Sequence, residues 1–396
     1  MFGPNRRMDS RLRGHPSPPT WPTRHGASIC LWLTYATTAL GASGGWTPSV
    51  PMFEPSPLLL WDSTWTLRAG GGYRDNPSIA HTFREPSGFA STGVDWMLIR
   101  PPFDGNLFYL FFSGDDRRYF HAPAVPMEET FITSTQWTHT SPGGWSSGIG
   151  FTHFYADQVF DLSSDNNGFG TARARGHTLV LKPVTKREAN GWAVELEPAV
   201  SLQYFGQPLD NYREFAPRMK LSRSYGYKSS LEVSVGAGRR FYDTTHLLTA
   251  DGTAVAGTHE QLTTKLAEIQ WRHWWDESHH WRTTLRTQVS RNEDNGSGYF
   301  DYDRWAGYGQ LQFTRGRWQV EAIGRVARYE YPIQLSGSTA GDHRHRDEIT
   351  AELKAEFHWT KHLKSIASAE WQRSVANTAF DDFSVSTLQT GLEWEF

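Results

Sequence analysis

The sequence predicts an all-β fold, a transmembrane antiparallel up-and-down β-barrel of about 16 strands, with 14 to 18 strands also compatible with the pattern. Three observations support this prediction. Apolar and polar residues alternate at period two along much of the chain. The alternating segments are long, and the connections between them are alternately short and long.

The alternation is clearest in three segments, at 192–204, 281–289 and 349–359. Successive side chains of a strand point to opposite faces, so each segment is predicted to be a strand with one apolar and one polar face. The first of them runs from Trp192 to Tyr204, roughly 40 Å at about 3.3 Å per residue. Tilted by about 40°, it spans an apolar membrane band about 25 Å tall with aromatic residues at both edges.

The lengths of the connections provide a second test of the barrel. Membrane barrels have an even number of strands, with short turns at one end and long loops at the other. The predicted long connections are 74–87, 115–127, 156–169, 242–259, 292–299 and 332–345, and the short ones are 101–104, 140–144, 223–226, 276–279, 315–316 and 360–361. The predicted strands are 63–73, 88–100, 105–114, 128–139, 145–155, 170–182, 191–204, 212–222, 227–241, 260–275, 280–291, 300–314, 317–331, 346–359, 362–374 and 383–396.

Composition excludes other classes of protein. A helical membrane protein needs runs of roughly 20 apolar residues, and after residue 45 the longest run is Leu107–Phe112. The net charge of -3 disfavours binding to nucleic acid. Aromatic residues make up 14% of the chain, too many for a disordered segment.

The N-terminal residues 1–43 are predicted to be an export signal. Arginines at 6, 7, 11, 13 and 24 precede the apolar stretch Ile29–Leu40, and Gly41, Ala42 and Ser43 follow it. A start at Met8 is also compatible with this pattern. Cys30 is the only cysteine and lies in this leader, so the mature chain is predicted to lack disulfides, thiol catalysis and Cys-ligated zinc. Residues 44–62 would form a short periplasmic segment and 63–396 the barrel.

The chain ends in Gln389-Thr390-Gly391-Leu392-Glu393-Trp394-Glu395-Phe396. This segment resembles the C-terminal assembly signal of bacterial outer-membrane β-barrel proteins, in which a polar residue and a Gly precede two apolar or aromatic positions and a final Phe. Gln389, Gly391, Trp394 and Phe396 match that signal. The resemblance implies a porin-like barrel over about residues 55–396 in the outer membrane. Its implied partners are membrane lipid, lipopolysaccharide and the assembly machinery, with homotrimers common among sixteen-stranded porins.

The polar face of the predicted strands carries both signs of charge. An Arg or Lys facing lipid near the middle of the bilayer costs about 2–4 kcal/mol, so these residues are predicted to point into the barrel. Barrels of 16–18 strands leave an aqueous channel, although a plugged, salt-bridged interior remains the alternative. The predicted lumen-lining residues are Arg218, Lys220, Glu232, Arg282, Arg286, Gln288, Gln310, Gln312, Glu321, Arg325, Glu352, Lys354 and Glu356.

The sequence contains only weak candidates for an active site, and no catalytic residue, cofactor or metal site is predicted. The connection 156–169 carries Asp161 and Asp165, which could form a porin-like acidic constriction, but a plain turn is the simpler interpretation. His343 and His345 lie in one predicted external loop, which does not establish an active-site geometry.

Three functions therefore remain open from the sequence. The leading hypothesis is a porin-like channel for passive diffusion of small hydrophilic solutes. The second is a barrel that anchors, assembles or exports a surface component, and the third is a membrane hydrolase.

Overall fold

The computed structural model describes residues 61–81, 84–161, 171–226, 228–336 and 341–396. The predicted leader and most of the predicted periplasmic segment lie outside the described residues. Within these described residues the chain forms sixteen strands and one short 3-10 helix, Ala379–Asp381. The strands are β1 (Asp62–Arg74), β2 (Ser87–Phe103), β3 (Asn106–Tyr119), β4 (Met127–Thr140), β5 (Trp145–Asp161), β6 (Thr171–Ala189), β7 (Trp192–Phe205), β8 (Tyr212–Tyr225), β9 (Ser229–Tyr242), β10 (Gln261–Trp274), β11 (Trp281–Asp294), β12 (Tyr302–Arg315), β13 (Trp318–Leu335), β14 (His343–His358), β15 (Leu363–Ala376) and β16 (Phe383–Glu395).

The strands form one closed antiparallel barrel. Each strand pairs with the next along the chain, and β16 returns to pair with β1. The predicted up-and-down barrel of sixteen strands is therefore confirmed. Among the described residues, no helix is long and apolar enough to cross a membrane.

Period-two alternation in the sequence becomes two different faces of the sheet. On β9, Val233 and Val235 are 40% and 51% exposed, whereas Ser234 between them is 2% exposed. We call the face of the exposed apolar side chains the outer face, and the opposite face the inner wall. At the end with short turns, exposed tryptophans lie on the outer face of many strands: Trp65, Trp137, Trp145, Trp192, Trp281, Trp318 and Trp394.

Connections at the two ends of the barrel differ in length. Two-residue turns join β6 to β7 and β12 to β13, whereas residues 243–260 join β9 to β10. At the first turn, Asn190 and Gly191 both have positive φ, as a two-residue hairpin turn requires.

Several strands extend further than the sequence predicted. β5 continues to Asp161 and β13 to Leu335, although the predicted loops began at 156 and 332. Their ends mix polar and apolar residues without the alternation that marks the rest of each strand. The backbone pairing nevertheless continues to Asp161 on β5 and resumes at Leu335 on β13 after a bulge.

Glycines line the seam between β1 and β16. Gly70 lies directly opposite Gly391 in the register. A Cβ atom added at Gly70 would clash with the backbone carbonyl oxygen of Thr390, and one added at Gly72 would clash with that of Leu388. The two strands therefore approach through nearly bare backbone, a spacing that only glycine permits.

Candidate channel interior

The structure places all ten of the charged residues chosen from the sequence on the inner wall, at positions that alternate with outward-facing side chains. Glu232 lies on β9, and the other nine lie on β8, β11, β13 and β14, as Arg218 and Lys220, Arg282 and Arg286, Glu321 and Arg325, and Glu352, Lys354 and Glu356 respectively. That this wall is wetted by a continuous channel stays a prediction.

Lys220 is the centre of an ionic cluster on β6, β7 and β8. Its Nζ lies 3.0 Å from Glu195 Oε1 and 2.6 Å from Glu197 Oε2. Lys182 Nζ lies 3.1 Å from the other carboxylate oxygen of Glu197. Lys220 is only 4% exposed, so this cluster packs against the wall and holds three strands together.

Arg218 lies two residues before Lys220, on the same face of β8, and forms a second buried ion pair. Its Nη2 donates to Ser234 Oγ at 2.6 Å and to Glu268 Oε1 at 2.9 Å. The contact with Glu268 crosses β9 entirely, from β8 to β10. Arg218 therefore ties together strands that are not neighbours in the sheet.

A third group of charges covers β13 to β16. Glu321 lies opposite Lys354 in the register, and Arg325 Nη2 lies 3.9 Å from Glu352 Oε2. Lys354 Nζ lies 2.6 Å from Glu356 Oε1. Lys364 then bridges Glu356 to Glu393, with both contacts at 2.9 Å.

Arg282 and Arg286 are half-buried, and the guanidinium group of each lies over an aromatic ring. The guanidinium of Arg286 stacks over the ring of Tyr308 at 4.9 Å, and that of Arg325 approaches the same ring at 5.8 Å. Arg282 lies over the Trp274 ring at 5.4 Å. Cation–π contacts of this kind hold arginines against the wall without neutralising their charge.

At the end with long loops, buried ion pairs and tyrosines fill the inner wall. Arg344 Nη2 lies 2.7 Å from Asp381 Oδ2, and Arg240 Nε lies 3.0 Å from Glu214 Oε2. Arg344 also stacks over the Tyr331 ring at 4.2 Å.

Glu260, at the end of the loop 243–260, is fully buried, and neither of its carboxylate oxygens has a hydrogen-bond partner. Burial, reinforced by the neighbouring Asp294, raises the pKa of Glu260 to about 8. Arg240 opposes this shift and Asp210 adds to it.

Sequence reasoning missed several members of the interior. Glu195, Glu197 and Lys182 belong to the Lys220 cluster, Tyr308 separates two arginines, and Glu370 lies opposite Glu352. All five occupy the polar positions of alternating segments. That alternation could have identified them, whereas their partners depend on the register between strands.

The remaining candidates from the sequence lie elsewhere. Asp161 ends β5, with its side chain outside the described residues, and Asp165 lies wholly outside them. His343 and His345 are part of β14 rather than of a loop, because pairing with β13 continues to His343. In the part of the chain that the structure describes, no group of three or more His, Cys, Asp or Glu is placed to hold a metal ion.

The four residues of the predicted assembly signal lie at the seam. Gln389 Nε2 donates to Ser91 Oγ on the inner side at 3.3 Å, and Gly391 opposes Gly70. Trp394 is exposed on the outer face. The backbone of Phe396 exchanges two hydrogen bonds with Trp65, both 2.9 Å long.

Comparison with known proteins gives remote structural similarities. No protein-family model and no curated protein match the chain. OmpTdeltaL8, the loop L8 deletion mutant of an outer membrane protein of Vibrio cholerae, is 10% identical, with a TM-score of 0.46 over 85% of this chain and 100% of its own. OccAB1 of Acinetobacter baumannii is 10% identical, with a TM-score of 0.47. The match covers 85% of this chain and 97% of OccAB1. OprD of Pseudomonas aeruginosa is 11% identical, with a TM-score of 0.44. The match covers 84% of this chain and 93% of OprD.

Proposed function

We propose that this chain is a porin-like channel of the outer membrane, through which small hydrophilic solutes diffuse passively. One observation carries the proposal: a closed barrel of sixteen strands has an apolar outer face and a charged inner wall. A barrel of this strand number is wide enough to leave an aqueous channel.

The location and the partners are part of the same proposal. An exposed apolar belt with tryptophans at one edge suits a lipid bilayer. A barrel leaves no open strand edge in lipid, where unpaired backbone groups are costly. We expect the chain to be exported with removal of residues 1–43, inserted by the assembly machinery, and surrounded by outer-membrane lipid and lipopolysaccharide. A homotrimer is part of this expectation.

A second candidate is a barrel that does not conduct and instead anchors or assembles a surface component. The nearly complete burial of Lys220, Glu197 and Arg218 favours it, because such clusters fill the interior with side chains. The two candidates differ in whether water runs continuously past Arg282 and Arg286.

Single-channel recording in planar bilayers separates the two candidates. The refolded barrel is expected to give discrete conductance steps that scale with salt concentration. Heat-denatured protein in the same detergent serves as the control. A folded, heat-modifiable barrel that inserts into the bilayer without any conductance would refute the channel and support the second candidate.

A further inference from the structure

The outer face carries charged side chains near the long-loop end, and in most sectors each cation lies beside a carboxylate. Arg118 lies 2.9 Å from Asp116, and Arg173 lies 2.8 Å from Asp157. Further round the barrel the same holds for Lys265 with Glu293, Arg328 with Glu330, and Arg373 with Asp382.

One sector differs. From β7 to β9, no acidic residue occupies an outer-face position anywhere along the described strands, whereas Arg213 and Arg239 both do. Both side chains are exposed. Arg239 donates to the neutral Gln261 Oε1 at 2.7 Å and lies over the Phe241 ring at 5.3 Å. Among the described residues, no ion pair joins either arginine to a carboxylate, although the exposed Asp243 lies just beyond the end of β9, opposite Asn211.

The register places the two arginines as a diagonal pair. Arg213 lies opposite Phe241, and Phe215 lies opposite Arg239. Diagonal residues on neighbouring antiparallel strands are about 7–8 Å apart, within reach of long side chains. Two guanidinium groups can thus converge on one anion, and their planar donor forks suit phosphate oxygens.

The height of this pair on the barrel indicates where the anion comes from. Arg213 follows the first residue of β8, and Arg239 lies three residues before the end of β9, so both are next to the long loops. Towards the middle of the barrel, the outer face continues with Phe215, Val235 and Val233, all exposed. The arginines therefore lie where the apolar belt ends, which is the level of lipid headgroups.

We propose that Arg213 and Arg239 bind the phosphate of a glycolipid of the outer leaflet, whose acyl chains lie along Phe215 and the neighbouring Val200. Charge complementarity and the adjoining apolar surface select this ligand over a free anion. The inference rests on the proposed outer-membrane location, but not on conduction by the channel.

The test measures binding of bisphosphorylated lipid A to the purified full chain in detergent, by native mass spectrometry. We expect Arg213→Gln combined with Arg239→Gln to weaken binding about tenfold or more, since two charge-assisted contacts are lost. The matched control is Arg291→Gln. That arginine is also on the outer face near the long loops, but it is paired with Glu293 at 3.0 Å, and its loss is expected to leave binding unchanged.

A second comparison needs no variant. Dephosphorylated lipid A, with the same acyl chains, is expected to bind the unaltered protein as weakly as the bisphosphorylated form binds the double variant. The proposal is overturned if the double variant binds normally, if Arg291→Gln weakens binding equally, or if dephosphorylated lipid binds as tightly. Displacement of the lipid by millimolar inorganic phosphate would also overturn it, because the site would then take the free anion. Conductance of the double variant is recorded separately, so a failed channel does not affect this result.

Discussion

Glu352 and Glu370 lie directly opposite each other on β14 and β15, both on the inner wall. Like charges at directly opposed positions destabilise a sheet. Arg325 approaches Glu352 at 3.9 Å, whereas Glu370 Oε1 is buried and has no hydrogen-bond partner. This pair therefore costs the barrel stability.

Removing one of the two charges is expected to stabilise the barrel. Glu370→Gln keeps the shape of the side chain and removes the repulsion, which is worth about 0.2–1 kcal/mol for a cross-strand pair. The temperature at which the folded band disappears on a gel should rise. Glu393→Gln is the control, because Glu393 has a favourable contact with Lys364 at 2.9 Å and its loss should lower that temperature. A lower temperature for Glu370→Gln would contradict the repulsion.

Reversing two accessible charges of the inner wall tests whether they line the channel. In Arg282→Glu combined with Arg286→Glu, the reversal potential in a salt gradient should shift towards cation selectivity. Charges are screened over about 8 Å at physiological salt, so they act on an ion passing through a narrow pore. Arg223→Glu, on the outer face at the short-turn end, should leave the selectivity unchanged. Unchanged selectivity in the double variant would place Arg282 and Arg286 away from the ion path.

Closure of the seam is expected to depend on the last residue. Phe396→Asp, or deletion of Phe396, should strongly reduce the amount of heat-modifiable barrel in the membrane. Deletion removes both hydrogen bonds to Trp65, and Asp replaces an exposed apolar group by a charge. Leu388→Ala, in the same strand and equally exposed, should assemble far better. Normal amounts of folded Phe396→Asp barrel would exclude an assembly role.

The orientation of the barrel can be read by cysteine labelling in a Cys30→Ser background. Ala250 lies exposed in the loop 243–260, and Ser278 lies exposed in the short turn between β10 and β11. A membrane-impermeant maleimide should label Ala250→Cys on intact cells, because long loops face outwards in such barrels. It should label Ser278→Cys only after permeabilisation. The reverse result would invert the proposed topology.

Docking of the loop 243–260 is expected to weaken as the pH rises. The pKa of Glu260 is raised from 4.5 to about 8, mainly by burial and then by the nearby Asp294. Arg240 lowers this pKa, and Asp210 raises it by a smaller amount. Stability is thus full below about pH 4.5, falls between pH 4.5 and 8, and stays low above pH 8. At about 1.4 kcal/mol per pKa unit, the loss is of the order of a few kcal/mol.

Hydrogen exchange of the loop amides at pH 5 and pH 8, corrected for the intrinsic rates, measures this dependence. In Glu260→Gln the loop should be equally protected at both values, because the amide does not ionise. Equal pH dependence in the variant would assign the effect to another group.

Much of the fold could be predicted because period-two alternation is a local property of the chain. The inner position of Lys220 followed from its neighbours in sequence, but its contacts with Glu195 and Glu197 depend on the register of β7 against β8. Arg344 and Asp381 are 37 residues apart in the sequence, and they meet only after β14 has paired with β15. The ends of β5 and β13 could not be told from loops, since neither Ala156–Val159 nor Pro332–Leu335 follows the alternation of apolar and polar residues.

The glycines of the seam bear on how the cylinder can be completed. Fifteen strand pairs can form one after another along the chain, but the pairing of β1 with β16 joins the two most distant segments. With Gly70, Gly72 and Gly391 in the middle of this junction, the two backbones can approach there without moving a side chain out of the way. The final step then consists of matching backbone donors to acceptors. A single methyl group at Gly70 would obstruct that step while leaving every earlier pairing intact.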